Sequence, residues 1–363
     1  FFLYFLKILT FDKINFLNTL IFIQIILSTI SVYIFFKINQ KIFTKKISLI
    51  NSYIFSLLPL NIYSAGQTSS ITLQIFLSLL FLLFLFSLAE HQTKKKNLIF
   101  SLISGLLILT RGEFILIYAI TLLYLLIKNK IKVISIITIA LCTLLVISPY
   151  LIRNYNSFNQ IFIVKALGFN LWKGNNYFFS VEGGGDFNLG FYKIALIDSK
   201  RNIKNPNFKN PIFKNLNDKI DSLNKDRFYE LNKDKIFLNQ AIKNLKDKPL
   251  NYLTLFFKKI LSFYFIDLNS SHLLYYNFFH FIPVLIIGIF SFPGLILVLK
   301  EKEFKIGYLR TYLISTIIIF SVFFILPRYK LAIIPIQIIL AAYFVKYIYQ
   351  KLNKGAIRTS YNK

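Results

Sequence analysis

The feature that most limits this chain is a succession of apolar runs free of Asp, Glu, Lys and Arg, set apart by clusters of lysine. Ile14 to Phe36 is one such run of 23 residues. About 20 residues suffice for a helix to cross a bilayer. Ile47 to Tyr63, Ile71 to Ala89, Val133 to Ile152, Leu273 to Leu299, Thr311 to Pro327 and Leu331 to Val345 repeat the pattern. In lipid every backbone polar group needs an internal partner, which leaves helices or a closed barrel. Runs this long and this uniformly apolar fit helices, so the expected fold is an all-α polytopic membrane protein, a bundle of transmembrane helices with a large outer loop region.

The net charge of +28 would point to nucleic acid in a soluble protein. Here 36 of the 43 cationic residues are lysines, in a chain crowded with Phe, Ile, Asn and Tyr. That mixture is what an A/T-rich coding sequence favours. The lysines also collect between apolar runs, so membrane lipids and not nucleic acid are the expected partner. The single cysteine, Cys142, lies inside an apolar run and allows no disulfide within the chain. No Met is present, and the chain opens within FFLYFLKIL without a charged n-region. The reading is that more chain precedes Phe1 in the natural protein, and no cleavable signal can be argued. Residues 1–13 are apolar but short, an interfacial helix or the tail of an earlier span.

Lysine clusters fix the orientation, because short cytoplasmic loops carry the excess of Lys and Arg. Lys37, Lys41, Lys45 and Lys46 form one cluster, Lys94 to Lys96 a second, and Lys128, Lys130 and Lys132 a third. Between the second and third stand Asn97 to Thr110 and Phe114 to Ile127, parted by Arg111, Gly112 and Glu113. Both ends of this run are cytoplasmic, so it crosses an even number of times: a hairpin with its apex at Arg111–Glu113. The alternative is one long tilted helix with a buried Arg–Glu pair. About nine crossings result, with the C-terminus in the cytoplasm of an inner (cytoplasmic) membrane. Residues 1–152 are N-terminal spans, 153–272 an outer region, 273–350 C-terminal spans and 351–363 a tail.

Within the outer region, 173–210 reads as loop, with GGG at 183–185. Phe228, Leu231, Phe237, Leu238, Ala241, Ile242 and Leu245 recur at near-helical spacing over 226–246. Pro249 should end that helix. Tyr252 to Ile266, interrupted by Lys258 and Lys259, suits a helix lying in the membrane interface.

On this topology the outer gaps are SAGQTSS at 64–70, RGE at 111–113, the loop opening with RNY at 153–155, and RYK at 328–330. The chain has seven arginines, and Arg111, Arg153 and Arg328 occupy these gaps together with Lys330. Cations at short outer gaps run against the positive-inside pattern, and membrane-edge charges point to function. A planar guanidinium suits phosphate, so a shared anionic site is the expectation. Headgroup anchoring and a local Arg111–Glu113 pair form the competing reading. Trp172, the only tryptophan, would stack on a sugar or sit in the interfacial aromatic belt. His91, His272 and His280 are dispersed, and neither a zinc pattern, a phosphate loop nor a nucleophile elbow is present in the sequence.

Four of these segments, in order, resemble the bacterial branch of the GT-C glycosyltransferases, the RgtA/B/C/D-like and protein-mannosyltransferase-related enzymes. They are SAGQTSSITL after Pro59, GLLILTRGEF at 105–114, SPYLIRNYNSF followed by GFNLWKGNN, and RYKLAIIPIQIILAAY at 328–343. Gly112 stands where Pro is usual. The resemblance implies an inverting transferase that moves a sugar from a polyprenyl-phosphate donor to a lipid, glycan or protein at the outer face, in cell-envelope glycosylation. It implies that Arg111, Arg153, Arg328 and Lys330 hold the donor phosphate. Asn154, Trp172, Asn175, Asn176 and Tyr329 would shape the substrate pocket. It fixes no cofactor and leaves room for a divalent metal. The general base, a carboxylate in the first outer loop, would lie upstream of Phe1. Ser69, Ser70 and Ile71 stand where many relatives carry an acid, and Glu113, Glu182 and Asp186 are not strong substitutes. Rival readings are an O-antigen ligase or polymerase, and a transporter or flippase. The latter would place charges on broken helices near the midplane, whereas here they sit at span ends.

Overall fold

The computed structural model describes residues 16–183, 211–270 and 277–361, and among these it is helical without a strand. In chain order the helices are α1 (Phe16–Gln40), α2 (Lys45–Ser56), α3 (Pro59–Ala65), α4 (Ile71–Glu90), α5 (Lys94–Thr110), α6 (Phe114–Ile127) and α7 (Val133–Phe158). There follow α8 (Leu167–Gly174), α9 (Pro211–Asp221), α10 (Tyr229–Asp247), α11 (Pro249–Tyr264), α12 (Phe278–Leu297), α13 (Phe304–Val322) and α14 (Ile334–Tyr361). Short 3-10 turns cover Val298–Lys300 and Pro327–Ala332. The chain divides into two compact units. The first is Phe1–Pro149, Phe263–Ile317 and Pro327–Lys363; the second is Tyr150–Ser262 and Ile318–Leu326.

Among the described residues five helices are long and apolar enough to cross a membrane: α1, α4, α7, α12 with its 3-10 extension, and α13. The α2–α3 pair makes a sixth if it is one span, bent by 57°. The single run expected over Ile47 to Tyr63 is therefore two helices. Pro59 takes the first helical position of α3, and Leu58 before it is extended at ψ 114°, as a residue preceding proline prefers. The nine crossings expected from hydropathy exceed this count for three reasons. Helix α5 has 17 residues and opens on three lysines. Helix α6 has 14 residues, roughly 21 Å at 1.5 Å per residue, short of the hydrocarbon thickness. Helix α14 is apolar only to Val345 and then runs on through Lys346, Lys351 and Lys354.

In the first unit, three predicted cytoplasmic ends meet. Glu90, closing α4, pairs with Lys41 beyond α1 and with Lys305 at the start of α13, the latter at 2.8 Å. Lys305 also donates to the Lys41 carbonyl at 3.1 Å.

The run at 97–127 folds back on itself. Thr143 of α7 donates to the Ser101 carbonyl on α5 at 3.4 Å and accepts from the Tyr118 hydroxyl on α6 at 2.9 Å. A straight helix would carry Ser101 and Tyr118 about 25 Å apart, so one threonine could not reach both. The long tilted helix is excluded, and the turn lies at Arg111–Glu113. Polar contacts of this kind hold helices together in lipid, where apolar burial gives little preference for helix over solvent.

Helices α12 and α14 pack most closely at Gly294, where a Cβ would stand 2.1 Å from the Leu340 carbonyl oxygen. Backbone cannot yield there as a side chain can, so only glycine fits. Gly294→Ala is expected to destabilise the first unit by about 1–3 kcal/mol, the usual cost of overpacking. A lowered Tm of the purified protein in detergent checks this; an unchanged Tm would mean the two helices separate freely.

Candidate functional site

In the first unit, Arg111 ends α5. Its backbone turns extended, φ −145° and ψ 105°, and its N–H still bonds the Leu107 carbonyl. That geometry turns the chain at the hairpin apex. The guanidinium lies 4.7 Å above the centre of the Tyr329 ring, and Arg328 lies 5.8 Å from the same centre. Tyr329 is 9 % exposed. It belongs to the 3-10 turn Pro327–Ala332, which packs against α3, α4 and α14. Two cations thus lie over one aromatic ring, each within the roughly 6 Å at which a ring quadrupole attracts a positive charge.

Among the described residues no carboxylate pairs with either arginine. The local Arg111–Glu113 pair offered by the anchoring reading does not form. The buried Nε of Arg111 has no hydrogen-bond partner. Lys330, next in the turn, is 1 % exposed and its Nζ also has no hydrogen-bond partner. Burial holds this amine well below the ordinary lysine range, and the charge of Asp267 opposes that shift. The structure therefore brings Arg111, Arg328 and Tyr329 together, with Lys330 next in the turn and Asp267 as the acid whose charge acts on it. Sequence reasoning missed Asp267. Its only signal was an acid directly after the apolar stretch Tyr252 to Ile266.

Arg153, Asn154, Trp172, Asn175 and Asn176 belong to the second unit. Arg153 donates to the Asn154 side-chain oxygen at 3.0 Å and lies 5.8 Å from the Phe158 ring. Asn154, fully buried, donates in turn to the Phe162 carbonyl at 2.9 Å. The pair thereby ties the end of α7 to the loop after it. Trp172 is a core ring, packed with Leu216, Ile220, Phe237 and Ala241, its centroid 4.8 Å from that of Phe237. It also borders, with Asn176 and Tyr252, a small cavity of about 70 Å³.

Asn175 is the knot of this unit. Its Nδ2 donates to the carbonyls of Leu171 and Val322, at 2.9 and 2.8 Å. Its Oδ1 accepts from Lys259 at 3.2 Å, and its carbonyl accepts from Asn244 at 3.0 Å. Asn176 donates to the Lys173 carbonyl and accepts from the Phe178 N–H. Gly174 is needed beside them, since a Cβ there would stand 2.1 Å from the Phe323 carbonyl oxygen. The WKGNN segment thus spends its polar groups on holding the chain.

Lys259 was expected at the membrane interface. It is instead buried within the unit, donating to the Gly174 carbonyl at 2.8 Å as well as to Asn175. Desolvation pushes its pKa from 10.5 down to about 7. A neutral amine has two N–H groups, and two acceptors stand ready. Between these values the unfolded chain binds a proton that the folded chain does not, so stability rises with pH from about 7 towards 10.5. Lys259→Met removes this dependence. Relative to that variant, the Tm of the natural chain is expected to climb between pH 7 and pH 10; a constant difference would place the amine in water.

Residues 2–152 match the family model described as dolichyl-phosphate-mannose-protein mannosyltransferase. No curated protein and no solved structure matches the chain.

Proposed function

We propose, from the premise that its N-terminal spans make this chain a membrane glycosyltransferase of the GT-C type, related to the protein mannosyltransferases, that it takes a sugar from a polyprenyl-phosphate donor. The acceptor is a lipid, a glycan or a protein, the reaction inverts the sugar carbon, and it proceeds at the outer face of the cytoplasmic membrane. The observation that carries the donor assignment is the pair of guanidiniums on Tyr329. Like charges gathered in a half-buried place, with no carboxylate paired to either guanidinium among the described residues, favour an anion beside them. As the bond to the sugar breaks, negative charge grows on the departing phosphate, and fixed cations stabilise it most at that point. Lys330 supplies a third cation once an anion offsets its desolvation.

A groove of about 680 Å³ supports a lipid-linked donor. It lies in the first unit between α1 and the bent α2–α3 pair, and it is lined by Ile25, Val32, Phe36, Leu49 and Ile62. It reaches Gly66 at the end of α3, and α3 packs on the turn that carries Arg328. In this reading the isoprenoid chain lies in the groove and its phosphate at the arginines. In the second unit Asn154, Asn175 and Asn176 fix the chain, and Trp172 and Asn176 border the small cavity there.

Arg111→Gln and Arg328→Gln are each expected to lower transfer from a labelled polyprenyl-phosphate sugar by roughly 100-fold or more. Membrane insertion and Tm should stay near those of the natural chain. Loss of insertion with transfer per folded molecule unchanged would return both residues to an anchoring role. Arg153→Gln, tested alongside, should weaken transfer without loss of insertion.

A further inference from the structure

The small cavity of the second unit has no part in the donor reading. Trp172, Tyr177, Phe179 and Tyr252 line it with rings, and Asp247 and Lys248 line it with charges. Its volume is about 70 Å³, against roughly 150 Å³ for a cavity that admits benzene. A sugar ring is too large for it, and one small group at the end of a larger molecule fits. The walls are fixed. Trp172 and Tyr252 are buried, and the Phe179 ring lies 4.9 Å from that of Tyr252. Phe179 has φ 48°, a left-handed conformation that a residue with a Cβ adopts only at a cost. Asn176 ties the turn that holds it there: its side-chain oxygen accepts from the Phe178 N–H, and its carbonyl accepts from the Phe179 N–H.

Asp247 and Lys248 follow one another where α10 ends and α11 begins. Both are exposed, and among the described residues neither side chain has a hydrogen bond or an ion-pair partner. Burial, and after it the charge of Asp247, push the Tyr252 hydroxyl up to about 12. That hydroxyl stays protonated at neutral pH, and among the described residues it has no hydrogen bond.

Helix α11 supplies the surroundings. Tyr252, Leu255 and Lys259 turn into the unit and are buried, whereas Leu250, Leu253, Phe257 and Leu261 are 74 %, 52 %, 55 % and 60 % exposed. The exposed four recur every three or four residues, which makes them one stripe of the helix. With 16 residues and two lysines α11 does not cross a bilayer. An apolar stripe turned outward on such a helix suits the membrane interface. The stripe opens at Leu250, two residues after Lys248, so the mouth of the cavity and the start of the stripe are neighbours.

A small group held among rings beside an unpaired carboxylate is a cation, because the ring quadrupoles and Asp247 attract the same charge. A primary ammonium suits better than a methylated one, since its N–H groups can reach both the carboxylate and the Tyr252 oxygen. Lys248 repels a bare amine at this mouth. An ammonium is welcome there only with an anion fixed close behind it, to meet Lys248.

We propose that the cavity and the outward stripe of α11 together hold one phospholipid whose headgroup carries a primary ammonium two carbons from its phosphate. The ammonium enters among Tyr177, Phe179 and Tyr252 and pairs with Asp247. Lys248 meets the phosphate, and the acyl chains lie along Leu250, Leu253 and Phe257. The site does not rest on the donor reading, whose arginines belong to the first unit.

Trp172 is the only tryptophan of the chain and lines the cavity, so its emission reports occupancy. The purified full chain in detergent is titrated with dihexanoyl phosphatidylethanolamine and, separately, with dihexanoyl phosphatidylglycerol, which keeps the phosphate and chains but lacks the ammonium. The chain's net charge of +28 favours the anionic lipid at any unspecific place. The expected result is nonetheless a saturable change at a concentration at least about tenfold lower for the ethanolamine lipid. Asp247→Asn removes that preference, and Lys248→Gln weakens binding of the ethanolamine lipid; both leave the Tm unchanged, as the two side chains are exposed. Leu253→Gln combined with Phe257→Gln weakens the lipid but not water-soluble phosphoethanolamine. Equal binding of the two lipids, a preference that survives Asp247→Asn, or no saturable change at all overturns the proposal. A stronger response to ethylamine than to phosphoethanolamine assigns the cavity to a free amine and overturns it as well.

Discussion

Two guanidiniums over the ring of Tyr329 are the arrangement on which the first unit turns. A ring quadrupole can attract two cations, but it does not cancel their mutual repulsion. The fold keeps them together by other means: the hairpin of α5 and α6 delivers Arg111, and a 3-10 turn wedged on α3, α4 and α14 delivers Arg328. The hairpin in turn depends on Thr143 reaching both of its arms. A polar contact in the interior therefore sets the position of a charge at the edge. This is the economy of a membrane protein, in which packing and hydrogen bonds, not the exclusion of water, decide which helix faces meet.

The second unit uses its polar residues differently. Asn154, Asn175 and Asn176 lie buried, and each amide bonds a carbonyl of a neighbouring segment. Lys259 adds a donor where Gly174 and Asn175 present oxygens. An amide-rich motif between an aromatic residue and a glycine looks the same on paper whether it reads a sugar or ties a loop. Only the partners distinguish the two, and here they are backbone carbonyls. Among the described residues, Gln74 on α4 and Thr316 on α13 are instead among the buried polar groups without a hydrogen-bond partner.

Much of the fold was legible because membrane segments obey a strong rule: no charge, sufficient length, lysine at one end. The boundaries at Thr110 and Phe114 and the turn between them followed from that rule, and so did the meeting of Lys41, Glu90 and Lys305 at one end of the bundle. The bend at Leu57–Leu58 was less visible, since hydropathy runs straight through Pro59. Lys259 was misplaced at the interface because a lysine in an apolar helix normally extends its charge to water. The two carbonyl and amide oxygens that hold it come from residues more than 80 positions away. Asp267 escaped notice for the same reason, its relation to Lys330 being a matter of space and not of spacing.

By itself the sequence determined that this chain is a helical membrane protein, where its long apolar helices run and which gaps concentrate arginine, because hydrophobic length and charge are local properties of a segment. Its resemblance to the GT-C enzymes likewise lay in ordered local motifs, and the match of residues 2–152 agrees with it. The tertiary structure alone decided which cations share a ring, which asparagines are spent on the backbone and which polar atoms are left unpaired. Those are relations between segments far apart in the chain. They depend on helix register and on the close approach of backbones, and no single stretch of sequence encodes either.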